Sequence, residues 1–330
     1  MYNETFTAVP YGTAVKTRCL KKREGRRIAM AFLRKKKTPV NTFILVVAFT
    51  VLIYYTLVGI WPFLFNIFLS FRRTDLITVN KFVGLRNYKF MISDPIFWKS
   101  LWHNFYYLGV MVSLGIITSL VFAALIYRTG GVMKKVYTAM FFAPVVTSIV
   151  AVSLVWTLLY FPKVGLFAQV ISGLFGIDRN RLTFLDNPTT ALLCIMIMDV
   201  WRDTGIRTVI FLAGMDEIPD SLFESSRIDG ASQIKQFFKI TLPLLMPQLI
   251  FIAAVYSINA LRVYIQIYMM TGSPPGGPAN STMVLTLHMY LSAFYGNRFG
   301  YGSTISMVMF VILFGLVLLE LKAFQQRWEY

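Results

Sequence analysis

Long apolar runs, each closed off by charge, dominate the chain from residue 40 onward. A helix needs about 20 apolar residues to cross the hydrocarbon core of a bilayer. The charge-free run between Lys37 and Arg72 predicts a span over 40–65. His103 to Arg128 predicts one over 104–127. Lys135 to Lys163 predicts one over 136–161, with Pro144 inside and Pro162 at its end. Arg298 to Glu320 predicts one over 299–319. Two further runs are apolar but interrupted. The run 190–213 contains Asp199, Arg202, Asp203 and Arg207, and the run 243–270 contains Arg262. The pattern predicts an all-α integral membrane protein with six transmembrane helices in a domain over 40–330. A basic tail precedes it over 1–39, and a polar loop over 214–242 separates the fourth and fifth spans.

Composition supports this reading. The chain is 56% hydrophobic and only 14% charged, where a soluble domain carries roughly a quarter. Its net charge is +17, and residues 1–40 hold eleven of the Lys and Arg. Placed directly before a span, that tail is expected to anchor on anionic membrane lipid and not on nucleic acid. Within it, "RRIAMAFLRKKK" suits a short interfacial helix. The first apolar run is too long for a signal-peptide core, and no small-residue cleavage site follows it, so it is kept as a span. Six spans put both termini on one side. With the termini inside, cytoplasmic segments hold 19 Lys/Arg and outer loops 10, so both termini are expected to be cytoplasmic. Cys19 and Cys194 do not suggest a disulfide, and His103 and His288 lack the company a structural metal needs.

The loops carry pattern as well. In "SDPIFWKSLW", Asp94 is placed to cap and Pro95 to open a short helix, which is expected to lie at the outer interface. "TGSPPGGPAN" (271–280) predicts an outer turn. In the polar loop, Ile218-Pro219 ends the fourth helix and its extension. Ser221 and Glu224 fit a capping box. Asp229-Gly230 breaks the first short helix, because glycine adopts a left-handed turn cheaply. A second short helix follows, with Ile234, Phe237 and Phe238 apolar, and Pro243 is expected to open the fifth span. The loop is therefore predicted to be two short amphipathic helices meeting at a glycine corner across the inner mouth of the bundle.

The spacing in that loop is specific. Glu224-Ser225-Ser226, Gly230, Ile240 and Leu242-Pro243 resemble the "EAA" loop of the membrane subunits of binding-protein-dependent ABC importers. Ser225 and Ser226 stand where that family has two alanines. "IDGAS" (including Asp229, Gly230 and Ala231) and "ITLPLLMP" are most similar to the carbohydrate branch, the maltose-type sugar permeases. So are "FVGLRNY", "LAGMDEIP", "IYMMTGSPPGGP" and "GYGSTISM". The outer turn is longer here than the usual Thr-Gly-Gly-Pro form.

The resemblance implies the type I ABC importer permease fold. It also implies a permease that moves a sugar or oligosaccharide across a bacterial inner (cytoplasmic) membrane, with the 214–242 loop coupling it to its motor. The implied partners are a second homologous permease, two ATP-binding subunits and an extracytoplasmic solute-binding protein. ATP and Mg would then sit in the partner subunits, with no cofactor on this chain. In agreement, the sequence has no G-x-x-x-x-G-K-[ST] phosphate loop and no nucleophile–base arrangement.

Ionisable groups inside a membrane are expensive and mark function or interior pairing. Asp199, Arg202, Asp203 and Arg207 are spaced to pair along one helix. Tyr256, Asn259 and Arg262 recur every three residues, with Gln266 four beyond, and are expected to share a face. Hydrogen-bonding and aromatic side chains of this kind suit a sugar. Asp199, Arg202, Asp203, Tyr256, Asn259, Arg262 and Gln266 are therefore candidates for the substrate pathway, and interhelix packing is the competing reading. Arg262 is expected to pair with Asp199 or to meet an acidic substrate. Two other classes stay open at this level. One is an ion-gradient-driven secondary transporter or channel, using the helix-4 charges as a proton relay. The other is a membrane scaffold without transport.

Overall fold

The computed structural model describes residues 39–272 and 274–323. The basic tail up to residue 38, with Cys19 and its interfacial segment, lies outside the described residues. The chain divides into two compact units, 1–65 and 66–330.

In the first unit the described part is one apolar helix. It is α1 (Pro39–Tyr55), continued through a π-turn (Thr56–Ile60) into α2 (Trp61–Ser70), whose end belongs to the second unit. Phe43, Leu45 and Phe49 are exposed, as lipid-facing side chains are.

The second unit begins with a two-stranded antiparallel hairpin, β1 (Arg72–Thr74) and β2 (Asn80–Phe82). The hairpin is the described chain's one departure from an all-helical prediction. After α3 (Arg86–Ser93) comes α4 (Pro95–Tyr127), 33 residues long, or about 49 Å at 1.5 Å per residue. Asp94 caps it as expected, accepting from Ile96 N at 2.9 Å. The expected separate interfacial helix is absent: "SDPIFWKSLW" forms the first turns of α4, because nothing between Lys99 and His103 breaks the helix.

The third span is also not straight. α5 (Gly131–Val146) and α6 (Ile149–Leu159) meet at 95° across Thr147-Ser148. Pro144 removes a backbone donor one turn before the bend. A short helix α7 (Leu166–Phe175) leads to α8 (Ala191–Asp216), the 26-residue fourth span.

The polar loop contains α9 (Asp220–Ile228), α10 (Gln233–Gln236), a π-turn (Phe237–Thr241) and α11 (Leu242–Leu244). The fifth span does not open at Pro243. The chain turns by 63° at Leu245, and α12 (Met246–Leu261) follows. Pro243 and Pro247 on either side of the turn both lack the donor a continuous helix would use. Nor does this span run to residue 270. It stops at Leu261, and α13 (Ile265–Met270) is a separate helix.

The expected outer turn is a re-entrant segment. Lys99 Nζ donates to Ala279 O (2.7 Å), His103 Nδ1 to Met283 O (2.8 Å), and Leu285 N to Asn104 Oδ1 (2.7 Å). Partners at 99, 103 and 104 matched with 279, 283 and 285 mean that this segment descends beside α4. α14 (Leu285–Tyr290) and a π-turn (Leu291–Tyr295) return it outward to α15 (Phe299–Ala323), the last span.

Among the described residues three helices are long and apolar enough to cross a membrane, or up to five if each of the two bent pairs is one span. α8 matches them in length but carries five charged residues, four of them within its middle part (Asp199, Arg202, Asp203 and Arg207).

Candidate functional site

Two regions hold the residues that the sequence singles out. The first is the polar loop between the fourth and fifth spans. Helix α9 begins at Asp220, one residue before the expected cap, and Pro219 precedes it without a side-chain cap bond. Ser221 and Glu224 therefore form no capping box, because the proline fixes the entry one residue earlier.

The glycine corner is as expected. Gly230 has φ +74°. Ala231 N donates to Ser226 O (2.9 Å) and Gly230 N to Arg227 O (3.0 Å). These are the two bonds of a Schellman ending, with Asp229 as the last half-helical residue. Ser232 then caps α10 through Lys235 N. Gln236 Nε2 donates to Ser226 Oγ at 2.9 Å, tying the second helix to the first.

The result is a small rigid knob. Its apolar side chains Ile228 (87% exposed), Ile234 (70%) and Phe238 (58%) point to open space. Glu224, Ser225 and Asp229 are exposed, Ala231 and Ile240 are half-buried, and Leu242-Pro243 lead into the bend. Glu224 lines a cavity of about 250 Å³ beneath the knob, with Tyr127, Arg128, Arg227 and Gln236.

The second region lies where α8 crosses α4, α5 and α12. Glycines let these helices approach. A Cβ on Gly205 would sit 2.0 Å from Phe141 O on α5, and one on Gly115 would sit 1.9 Å from Arg207 Nη1. Asp199 is buried and accepts from Tyr107 Oη and from Gln266 Nε2 (2.6 Å). Arg202 Nη1 meets Asp203 Oδ1 at 2.8 Å. Its Nη2 reaches Val145 O at 3.4 Å, a carbonyl orphaned by the 95° bend. Arg207 is fully buried. Its guanidinium lies over the Tyr256 ring at 3.8 Å, with Asp203 Oδ2 3.9 Å away. A cation against an aromatic face is a favourable desolvated contact. The pairing therefore uses Asp203 as its hub, while Asp199 is held by neutral donors from other helices.

The expected common face of Tyr256, Asn259, Arg262 and Gln266 is not formed. The helix ends at Leu261, and Tyr264 at φ −161° is extended, so the spacing loses its register. Tyr256 is buried under Arg207, and Gln266 turns inward to Asp199. Asn259 and Arg262 are exposed, and their side chains make no hydrogen bond or ion pair with the described residues. The expected Arg262–Asp199 pair is absent: Arg262 is exposed beyond the end of α12, while Asp199 is buried with Tyr107 and Gln266 on its Oδ2.

Asn104 was not singled out from the sequence. Its amide donates to Ala260 O (3.2 Å) and Leu261 O (3.1 Å) and accepts from Leu285 N, so it satisfies the broken end of α12. An isolated Asn among aromatics in an apolar run was the only hint. Tyr160 Oη donates to the carbonyl of the buried, free Cys194 at 3.1 Å.

Residues 115–328 match the family described as "Binding-protein-dependent transport system inner membrane component". The chain belongs to that family. Among its relatives is the trehalose/maltose transport system permease protein MalF of Thermococcus litoralis. The two are 35% identical over 76% of this chain and 82% of that one. The probable ABC transporter permease protein YurN of Bacillus subtilis is 31% identical over 81% of this chain and 91% of its own length. A chain from a bacterial ABC transporter involved in import of the acidic polysaccharide alginate superposes with a TM-score of 0.76. At 17% identity it covers 89% of this permease and 99% of that chain, which shows the shared type I importer fold. Membership of this inner-membrane family answers the open alternatives: the chain is a transport permease and not a self-sufficient ion-driven carrier or a scaffold.

Proposed function

We propose that this permease moves a sugar or oligosaccharide across the inner membrane as one half of a heterodimeric pathway. Both termini are cytoplasmic. Two ATP-binding subunits hold the ATP and Mg, an extracytoplasmic binding protein delivers cargo, and this chain performs no covalent chemistry. Relatives named for trehalose/maltose and lactose transport support the cargo class.

The observation that carries the reading is the knob. It is rigid, pinned by Gly230 and the Ser226–Gln236 bond, yet it exposes Ile228, Ile234 and Phe238 on an otherwise polar loop. An apolar patch of this kind, rimmed by charge, suits a protein groove. Docked in an ATPase subunit, it would pass closure on to α8 and α12, the spans it joins. Asn259 and Arg262, polar and uncovered in the outer half of the fifth span, suit a cargo pathway facing the second permease.

Co-purification tests the assembly. The tagged chain should bring down an ATP-binding subunit and a second permease, and Phe238→Glu with Ile234→Glu should release the ATPase while the permease pair persists. Retention of the ATPase by that variant would overturn the docking role.

A further inference from the structure

We infer that the cargo of this permease bears carboxylate groups and that Arg262 is the side chain that reads them. The inference rests on the transport reading above and narrows its substrate class to acidic saccharides.

The first observation is charge accounting inside the spans. Away from its ends the fourth span holds two carboxylates, Asp199 and Asp203, with Arg202 and Arg207, and Arg262 follows the last residue of α12. Asp199 holds Tyr107 and Gln266 on Oδ2, and its Oδ1 is buried without a hydrogen-bond partner among the described residues. Asp203 faces Arg202 and Arg207. Arg262 caps the C-terminus of α12, sixteen residues above its start, or about 24 Å. It is exposed there, with no ion pair among the described residues. A lone guanidinium facing lipid at that depth is costly, so its exposed head faces water, an anion or both. Among the described residues no carboxylate lies within ion-pair distance of Arg262 to supply the anion. Asn259, one turn below, is equally uncovered and offers both a donor and an acceptor.

The second observation is at the outer end and is independent of the first. The outer loops carry ten Lys/Arg against four Asp, a net +6. Topology favours basic residues on the inside, so this outer excess is not an orientation signal. Three of the four acids are already engaged, Asp178 by Asn180 N and Nδ2 (both 3.0 Å). Asp75 accepts from the backbone of Ile77, Thr78 and Val79 (3.0, 2.8 and 2.7 Å) and from the Thr78 hydroxyl. Asp94 accepts from Ile96 N, His288 Nε2 and Tyr301 Oη (2.5 Å).

Between the hairpin and the start of α15 lies a cavity of about 520 Å³, lined by Arg73, Arg86 and Arg298 with Phe90 and Tyr301. Asp75 also borders it, with its oxygens turned into its own loop. None of the three arginines has an ion pair among the described residues. Planar guanidinium groups match carboxylates in a two-point fork, and aromatic rings offer a face to a pyranose. A positive mouth also concentrates anions and speeds their arrival. Carboxylated saccharide satisfies both places: attraction at the mouth, then recognition by Arg262 deeper in.

The test uses the full chain, co-purified with its partner subunits and held in lipid nanodiscs. The probes are trisaccharides of galacturonate, glucuronate and mannuronate, each against its neutral counterpart (galactose, glucose, mannose). At least one acidic probe should bind about tenfold or more tighter than its neutral partner, and the preference should shrink as salt screens it. Arg262→Gln should remove the preference, and Arg262→Lys should keep part of it. Arg86→Gln with Arg298→Gln should slow association more than it weakens final binding.

Equal binding of acidic and neutral probes, no binding of any acidic probe, or an unchanged preference in Arg262→Gln would each overturn the inference. So would loss of the second permease from the Arg262→Gln complex, which would assign the residue to an ion pair between subunits. Neutral-sugar uptake by the same complex, reconstituted in closed vesicles with its binding protein and ATP, separates the two levels. If it persists, the sugar-importer reading stands while the acidic-cargo inference falls.

Discussion

The knob at residues 220–243 and the polar seam along α8 are both charged islands in an apolar chain, and they are built oppositely. The knob is exposed almost everywhere. Its order comes from short-range bonds, and its residues are nearly all neighbours in sequence. The seam is mostly buried, and beside the local Arg202–Asp203 and Arg207–Asp203 pairs its ties join residues far apart, Tyr107 to Asp199 and Gln266 to Asp199, as does the neighbouring Asn104 to Leu285. Substitutions in the knob should therefore act on coupling with little effect on stability. Substitutions in the seam should act on stability first, because an orphaned polar group in a low-dielectric interior carries its full desolvation cost.

The largest effect is expected at Asp203. Asp203→Leu leaves Arg202 and the fully buried Arg207 without their carboxylate. Removing one partner of a buried pair costs about 3–5 kcal/mol, so the yield of assembled complex should fall steeply. Arg207→Met added to Asp203→Leu should recover much of it. If thermal stability in detergent is unchanged by Asp203→Leu alone, Arg207 is compensated by some group other than Asp203.

Asn104→Leu comes next. It strips the carbonyl of Ala260 and the amide of Leu285 of their side-chain partner and leaves Leu261 O with Thr286 Oγ1 alone. The summed penalty should be on the order of 3 kcal/mol. It should be felt locally, as faster hydrogen exchange at 259–264 and 284–288. Exchange unchanged in those segments would mean that the break in the fifth span holds itself.

These two cases show what was legible in the sequence and what was not. The knob was readable where its device is local: Asp229-Gly230 reads as the break between two short helices, and Gly230 takes φ +74°. Its ends were misplaced, where Pro219 overrode Ser221, Ser232 and not Ser221 supplies the serine cap, and the fifth span begins beyond Pro243. The spans were readable as spans because apolar length is a local count. Their interruptions were not. Pro144 gave a candidate site for a kink, but the 95° turn depends on Arg202 reaching Val145 from another helix. The break at Leu261 has no proline or glycine to announce it. It is made tolerable by Asn104, some 156 residues away. Once that break exists, helical spacing across it carries no information, so Gln266 faces Asp199 while Arg262 is left uncovered.

A smaller effect is expected at Gly230. A Cβ there would meet nothing within 4 Å, so Gly230→Ala pays only for a left-handed backbone, about 1–2 kcal/mol. Proline fixes φ near −65° and cannot adopt +74° at all. Gly230→Ala should transport at a reduced rate. Gly230→Pro should insert normally and fail to transport, which marks a fault in coupling and not in folding. Full uptake by the proline variant would show that the corner's angle does not matter.

The smallest expected effect is at Ser226, where the chain carries a hydroxyl in place of the alanine that this loop has in the family it resembles. The substitution is not neutral in the structure. Ser226 Oγ accepts from Gln236 Nε2 at 2.9 Å and donates to Phe223 O at 2.9 Å, so one side chain bridges the two helices of the knob across the Gly230 corner. An alanine at this position cannot make that bridge. Ser226→Ala should therefore cost roughly 1 kcal/mol, the net worth of an ordinary hydrogen bond. Gln236 is buried but lies beside the cavity under the knob, where water can replace the lost partner, so the cost should stay at that level. The loss should appear as raised hydrogen exchange over 231–237, with thermal stability of the whole chain unchanged. Coupling efficiency, as sugar moved per ATP hydrolysed, should drop slightly, because a looser second helix transmits motion less directly. Gln236→Ala should reproduce the exchange change, and the double variant should add little to either single one, since both remove the same bond. If the two effects add in full, the Ser226–Gln236 contact contributes nothing, and the rigidity of the knob resides in the Schellman ending at Gly230 alone.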